Sequence, residues 1–120
     1  MFKDWQELET GLSGDLRSLR AGAPEVMKGF SALAQAALKA DALDTRTKEL
    51  IALALAVATR CDGCVAFHAE AAVKQGASRP EVLEAMGMAI YMGAGPSVMY
   101  AAQVVEAFDQ FSATDAAKAA

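Results

Sequence analysis

The chain has 120 residues, 54% of them apolar, and 15 acidic against 11 basic residues give it a net charge of −4. An acidic balance without a basic cluster argues against nucleic-acid binding, the apolar fraction against a disordered chain, and two cysteines are too few for a disulfide scaffold. Twenty-eight residues are alanine, so the expected architecture is all-α: helices packed closely through small side chains around a modest core. One domain over residues 1–120 is expected at this length, and its limited burial makes homo-oligomerisation a natural source of more.

The first residues, Met1-Phe2-Lys3-Asp4-Trp5-Gln6-Glu7, are charged and polar, unlike a secretory signal, so the expected location is cytoplasmic. Trp5, Leu8, Leu12, Leu16 and Leu19 recur at spacings of three and four and predict an amphipathic helix over 4–20. Pro24 suits the first turn of a second helix running to about Ala40. Asp44 or Thr45 can cap a third, ending near Thr59. From Leu50 to Ala58 this third helix is apolar on all sides, the pattern of a central buried helix.

Asp62 is the expected cap of a fourth helix ending at Gly76. Ser78-Arg79-Pro80-Glu81 reads as a capping box opening a fifth, which Gly93 and Gly95 stop. Pro96 starts a sixth, reaching about Phe111, and the alanine-rich tail 112–120 is expected to fray. Met86 to Val105 is uncharged and long enough to span a membrane. Gly93-Ala94-Gly95-Pro96 interrupts it, so two short buried helices are the better reading, with no membrane partner.

Both cysteines and the only histidine fall within Cys61-Asp62-Gly63-Cys64-Val65-Ala66-Phe67-His68. On a helix these three side chains share a face, and the cysteine spacing is short enough for a disulfide. In the cytosol a close cysteine pair is more often catalytic or metal-binding than structural. Cys64 would sit in a first turn, where free N–H groups and the helix dipole favour a thiolate; an ordinary thiol is only about 3% ionised at pH 7. His68, one turn along, is placed to accept or relay the proton. The charge of Asp62 works against a nearby thiolate. Glu49, twelve residues before Cys61, enters the apolar run of the third helix and needs a partner. The imidazole of His68 is a fitting one, since a carboxylate orients the ring and supports its basicity.

Each residue has a blander reading: two small buried hydrophobes, a core or surface histidine, a surface ion-pair glutamate. Met86, Met88, Met92 and Met99 read as core or interface filler. The functional case is the combination.

Glu49, eleven residues, Cys61-Asp62-Gly63-Cys64, three residues and His68 together resemble the core motif of the AhpD-like alkylhydroperoxidases, of the carboxymuconolactone decarboxylase superfamily. The flanks Arg46 to Ala54, together with Ala72, Gly76, Glu81 and the Gly93-Ala94-Gly95 stretch, are similar as well, so the resemblance covers roughly residues 20–108. It implies an all-α homo-oligomer, a trimer or a dimer of trimers. It further implies that Cys64 is the peroxidatic cysteine and Cys61 the resolving one, with Glu49 and His68 as proton relay. The substrate would be a hydroperoxide, with no bound cofactor and no metal, and the reductant an external dithiol of lipoyl or thioredoxin type. The chain departs from the prototype in carrying Gly63 where that protein has a histidine before its second cysteine, and in being the short, single-unit form.

Two other readings stand beside this one. A lyase acting on a muconolactone-like acid would give the cysteine pair no task. A non-enzymatic zinc-binding oligomer would use the two thiolates, His68 and Glu49 as ligands.

Overall fold

The computed structural model describes residues 1–119. Five helices follow one another: α1 (Trp5–Gly22), α2 (Pro24–Leu38), α3 (Thr45–Thr59), α4 (Asp62–Lys74) and α5 (Arg79–Ala119). There is no strand among the described residues, as the sequence predicts. The expected fifth and sixth helices are the two arms of α5, meeting at a break where Ala94 has φ 56° and ψ −141°. Glycine was the expected breaker, yet both flanking glycines keep helical or permissive geometry while alanine takes the positive φ. A Cβ on Gly93 would overlap Oγ of the buried Ser97, so a side chain there would force Ser97 to move. Pro96 falls early in the second arm, where its missing N–H does least harm.

Local signals start and stop the other helices. Asp4 and Asp44 cap α1 and α3 by accepting from the N–H groups of Glu7 and Thr47. Ser78 and Glu81 form the reciprocal capping box of α5, at 2.8 and 3.2 Å. Gly76, at φ +79°, closes the C-terminal end of α4 two residues beyond Lys74. α2 ends at Leu38, slightly short of the expected Ala40.

The core lies where α3, α4 and α5 meet. Leu53, Val57, Val65, Ala66, Ala69, Val82 and Val104 are fully or almost fully buried, and their small size lets the helices approach closely. Two expectations are corrected. α3 is apolar all round but buried on one face only: Leu53, Ala56 and Val57 point inward, while Ile51 and Leu55 are exposed in the single chain. The tail does not fray through 112–119, since α5 continues to Ala119. Ala120, the last residue of that expected tail, lies outside the described residues. Phe111 is buried there, and Gln6 of α1 hydrogen-bonds Thr114. No helix among the described residues is long and apolar enough to cross a membrane, and Met86 to Val105 is divided by the Ala94 break.

α1 packs across α4 at two places that bear on function. Leu12 lies over Gly63, where a Cβ would come within 2.6 Å of Leu12 Cδ2. A side chain at position 63 would therefore require Leu12 to shift. Farther along, Glu9 lies beside Glu70 of α4 with its Oε2 buried and unpaired. Burial, then the charge and proximity of Glu70, push the Glu9 carboxyl up to about 7, against a smaller opposing pull from Lys74.

Two predictions follow from this packing. The folded state holds the Glu9 proton to about pH 7, whereas the unfolded chain releases it near 4.5. Folding therefore binds protons in that window, and stability falls as pH rises through it. Glu9→Gln should raise the thermal midpoint at pH 8 by a few degrees and leave it unchanged at pH 4; an equal effect at both pH values would remove the role given to the proton. Gly63→His should destabilise by about 0.5–1.5 kcal/mol, the cost of pushing the Leu12 side chain from its rotamer. Adding Leu12→Ala should recover part of that loss in denaturant titrations, and no recovery would mean that Leu12 is not the obstacle.

Candidate active site

The connection between α3 and α4 is only Arg60 and Cys61. Arg60 takes the left-handed conformation, φ 53° and ψ 49°, and its N–H bonds back to Val57. The N–H of Cys61 bonds to the carbonyl of Ala56. This reversal folds α4 back along α3 and places Cys61 at the start of α4. The cap is Cys61 itself, not the expected Asp62: its Sγ accepts from the N–H of Cys64 at 3.1 Å, and Asp62 becomes the first helical residue. Sulfur takes the role an aspartate oxygen would play, because Cys61 has the extended backbone of a cap, at φ −104° and ψ 99°.

Cys61 and Cys64 are joined as a disulfide, with Cα atoms 5.2 Å apart. Both are partly buried. Cys64 lies in the first turn of α4, as its spacing predicts, while Cys61 sits just outside the helix. The unpaired N–H groups and positive dipole end of α4 therefore face the sulfur pair, an environment that favours thiolate on reduction.

Glu49 and His68 meet. Glu49 Oε1 lies 2.6 Å from His68 Nδ1, and Glu49 is 3% exposed. An ionised carboxylate only accepts, so Nδ1 carries the hydrogen that joins the pair. In the neutral ring, this leaves Nε2 as the proton acceptor. Nε2 has no protein partner among the described residues. The two helices thus bring Glu49 of α3 against His68 of α4, one turn along that helix from Cys64, while the two cysteines pair with each other at its start.

The ring also lines a cavity of about 360 Å³ between α2 and α3, whose walls include Ala34, Ala37, Ile51 and Leu55. The exposed half of α3 is thus the wall of a largely apolar pocket leading to the histidine. Sequence reading missed this pocket, and the signal for it was the apolar side of α3 that the core has no use for. No three His, Cys, Asp or Glu side chains gather as a metal-ligand group among the described residues.

Asp62 is occupied elsewhere. Its carboxylate accepts from Lys3 Nζ at 2.6 Å and from Tyr100 OH at 3.0 Å. Burial raises its pKa, but those two hydrogen bonds and the Lys3 charge outweigh it, and the carboxyl ionises more readily than usual. The same contact, with desolvation, raises the Tyr100 hydroxyl.

The chain is similar to known proteins over most of its length. A crystal structure of a carboxymuconolactone decarboxylase family protein from Legionella pneumophila, in its apo form, superposes with a TM-score of 0.88 at 54% identity, covering 90% of this chain and 96% of that one. A family member from Thermotoga maritima shares the fold at a TM-score of 0.81 and 24% identity, covering 92% and 94% of the two chains. Uncharacterized proteins of Haemophilus influenzae and Cupriavidus necator are 42% and 35% identical, over 90% and 94% of this chain and 96% and 100% of theirs. The model of the carboxymuconolactone decarboxylase family matches residues 24–107, which hold Glu49, both cysteines and His68. On these matches and this fold, the chain belongs to the carboxymuconolactone decarboxylase family.

Proposed function

We propose that the protein is a thiol-dependent hydroperoxide reductase, or more broadly a disulfide oxidoreductase, of the AhpD-like kind. The observation that carries this reading is the cysteine pair at the start of α4 with half-buried His68 one turn along the helix, held by the buried Glu49. A decarboxylation would use neither sulfur. In the proposed cycle the Cys64 thiolate attacks the outer oxygen of ROOH, the O–O bond breaks, and Cys64 becomes a sulfenic acid. The alkoxide leaves as ROH with a proton relayed by His68, whose orientation Glu49 maintains. Cys61 then displaces water from the sulfenic acid and closes the disulfide. An external dithiol of lipoyl or thioredoxin type returns two electrons and two protons and leaves as its own disulfide. No bound cofactor is needed. The apolar cavity beside His68 suits an organic hydroperoxide better than hydrogen peroxide.

Stopped-flow mixing of the reduced protein with an organic hydroperoxide should show rapid loss of two thiols, and mass spectrometry should find Cys61 and Cys64 linked. Cys64→Ser should abolish the fast phase. Glu49→Gln should slow it by about 10²-fold or more, the low end for loss of a positioned acid–base group. Thiols unchanged over minutes would sink the peroxidase reading, while retained activity on a muconolactone-like acid in the Cys61→Ser/Cys64→Ser protein would favour the lyase.

The same proposal includes a homo-oligomer, a trimer or a dimer of trimers. Its support is the apolar surface of a single chain: Tyr91, Met92, Met88 and Met99 on α5, and Val26 and Leu33 on α2, are all more than half exposed. Light scattering should give a mass of three or six chains, and Met92→Asp should lower it; a monomer at micromolar concentration would overturn this part.

A further inference from the structure

Asp62 follows Cys61 in the first turn of α4, the turn that also holds Cys64 and whose dipole bears on both sulfurs. Two residues remote in sequence converge on Asp62. Lys3 Nζ reaches Oδ2 at 2.6 Å, and Tyr100 OH reaches Oδ1 at 3.0 Å, so both carboxylate oxygens are engaged. Lys3 is itself held. Its ammonium donates to Gln103 Oε1 at 2.7 Å and lies 5.3 to 5.8 Å from the ring centres of Phe2, Trp5 and Tyr100. Glu106 fixes the backbone beneath it, accepting from the N–H groups of Phe2 and Lys3 and from the Trp5 indole. Three aromatic faces, one of them the fully buried Trp5, and an amide are arranged around one cation aimed at one carboxylate.

We propose that Lys3, which neutralises Asp62, and Tyr100, which holds its carboxylate by a hydrogen bond, are positioning residues that set the acidity and reduction potential of the Cys61–Cys64 pair. The proposal rests on the reading of that pair as redox-active. An unpaired Asp62 would disfavour a thiolate in the first turn of α4, opposing the helix dipole. With Lys3 in place the local charge is cancelled, and the dipole acts on the sulfurs without opposition. The other charged groups near the pair are Arg60 in the preceding turn and the Glu49–His68 pair, none of which bonds Asp62 among the described residues. Because the thiolate belongs to the reduced form, whatever lowers the thiol pKa favours the dithiol, and whatever raises it favours the disulfide.

A purely structural strap and an electrostatic one give different signs. Removing either partner of a strap loosens the same turn, so Lys3→Met and Asp62→Asn would move the cysteines alike. An electrostatic device moves them oppositely, because Lys3→Met leaves a bare carboxylate and Asp62→Asn removes it. The test uses the full chain, reduced and then alkylated with iodoacetamide from pH 5 to 10. Lys3→Met should raise the pKa of the more reactive thiol by about half a unit, slowing alkylation at neutral pH about threefold, and Asp62→Asn should lower it. Lys3→Arg should restore the parent value, and Tyr100→Phe should move it less than Lys3→Met in the same direction. Equilibration with dithiothreitol, which closes its own disulfide as it gives two electrons and two protons to the pair, should shift toward protein disulfide in Lys3→Met and toward dithiol in Asp62→Asn. Shifts of one sign in both variants, or no shift in either, would overturn the proposal. Neither readout uses peroxide, so failure of the peroxidase reading would leave these results standing.

Discussion

The site depends on a carboxylate buried where it could not stay alone. Glu49 enters the core face of α3 beside Leu53, and taking such a group out of water costs several kcal/mol unless a partner is ready. His68 supplies that partner from α4, and the contact forms only if α4 folds straight back along α3. The two-residue turn at Arg60 and Cys61 makes that reversal, and the left-handed Arg60 holds it at a cost of order 1–3 kcal/mol for a residue other than glycine. The Glu49–His68 hydrogen bond, the turn and the cysteine cap are therefore one unit. Small side chains at Ala56, Ala66 and Ala69 allow the two helices to approach closely enough for the pair to close.

The division of labour on α3 follows from the same geometry. One face must carry Glu49 and the core residues Leu53 and Val57. The opposite face is free of the core, and there Ile51 and Leu55 form one wall of the cavity that α2 covers. α2 buries none of its own residues fully and touches α3 lightly, so it acts as a cover over this pocket rather than as a core element. An apolar helix that serves the core on one side and a pocket on the other gives the same hydrophobic pattern as a helix buried all round.

That ambiguity marks how far local reading reached. Caps, the capping box, the glycine closing α4, the closeness of Cys61 to Cys64 and the Glu49–His68 contact were legible, because each depends on residues close in sequence or on a helical reversal with few alternatives. The capping role of Cys61 was not, since Asp62 is the better cap by type and only its long-range bonds to Lys3 and Tyr100 show why it is otherwise engaged. Nor was the positive φ of Ala94 legible between two glycines, each the better local candidate for it. Gly63 read as a missing relay residue, and in the fold it also lies under the end of the Leu12 side chain of α1, which would have to move to admit a Cβ. What escaped sequence reading was set by partners far along the chain.

The ordered tail of α5 shows the same principle from its other side. Apolar area alone gave residues 112–119 little reason to remain helical. Polar satisfaction supplies it. Gln110 accepts from the N–H of Trp5 and donates to the carbonyl of Lys3, and Thr114 pairs with Gln6. Meanwhile Glu106 gathers the N–H groups of Phe2 and Lys3, and these bonds hold its carboxyl below the usual range despite the opposing effect of burial. Each terminus meets backbone or side-chain groups that the other would otherwise leave to water. The N-terminal residues are ordered because α5 passes beneath them, and α5 keeps its last turns because they cross it. Since Lys3 extends from that junction to Asp62, the two ends of the chain bear on the turn that holds the cysteines.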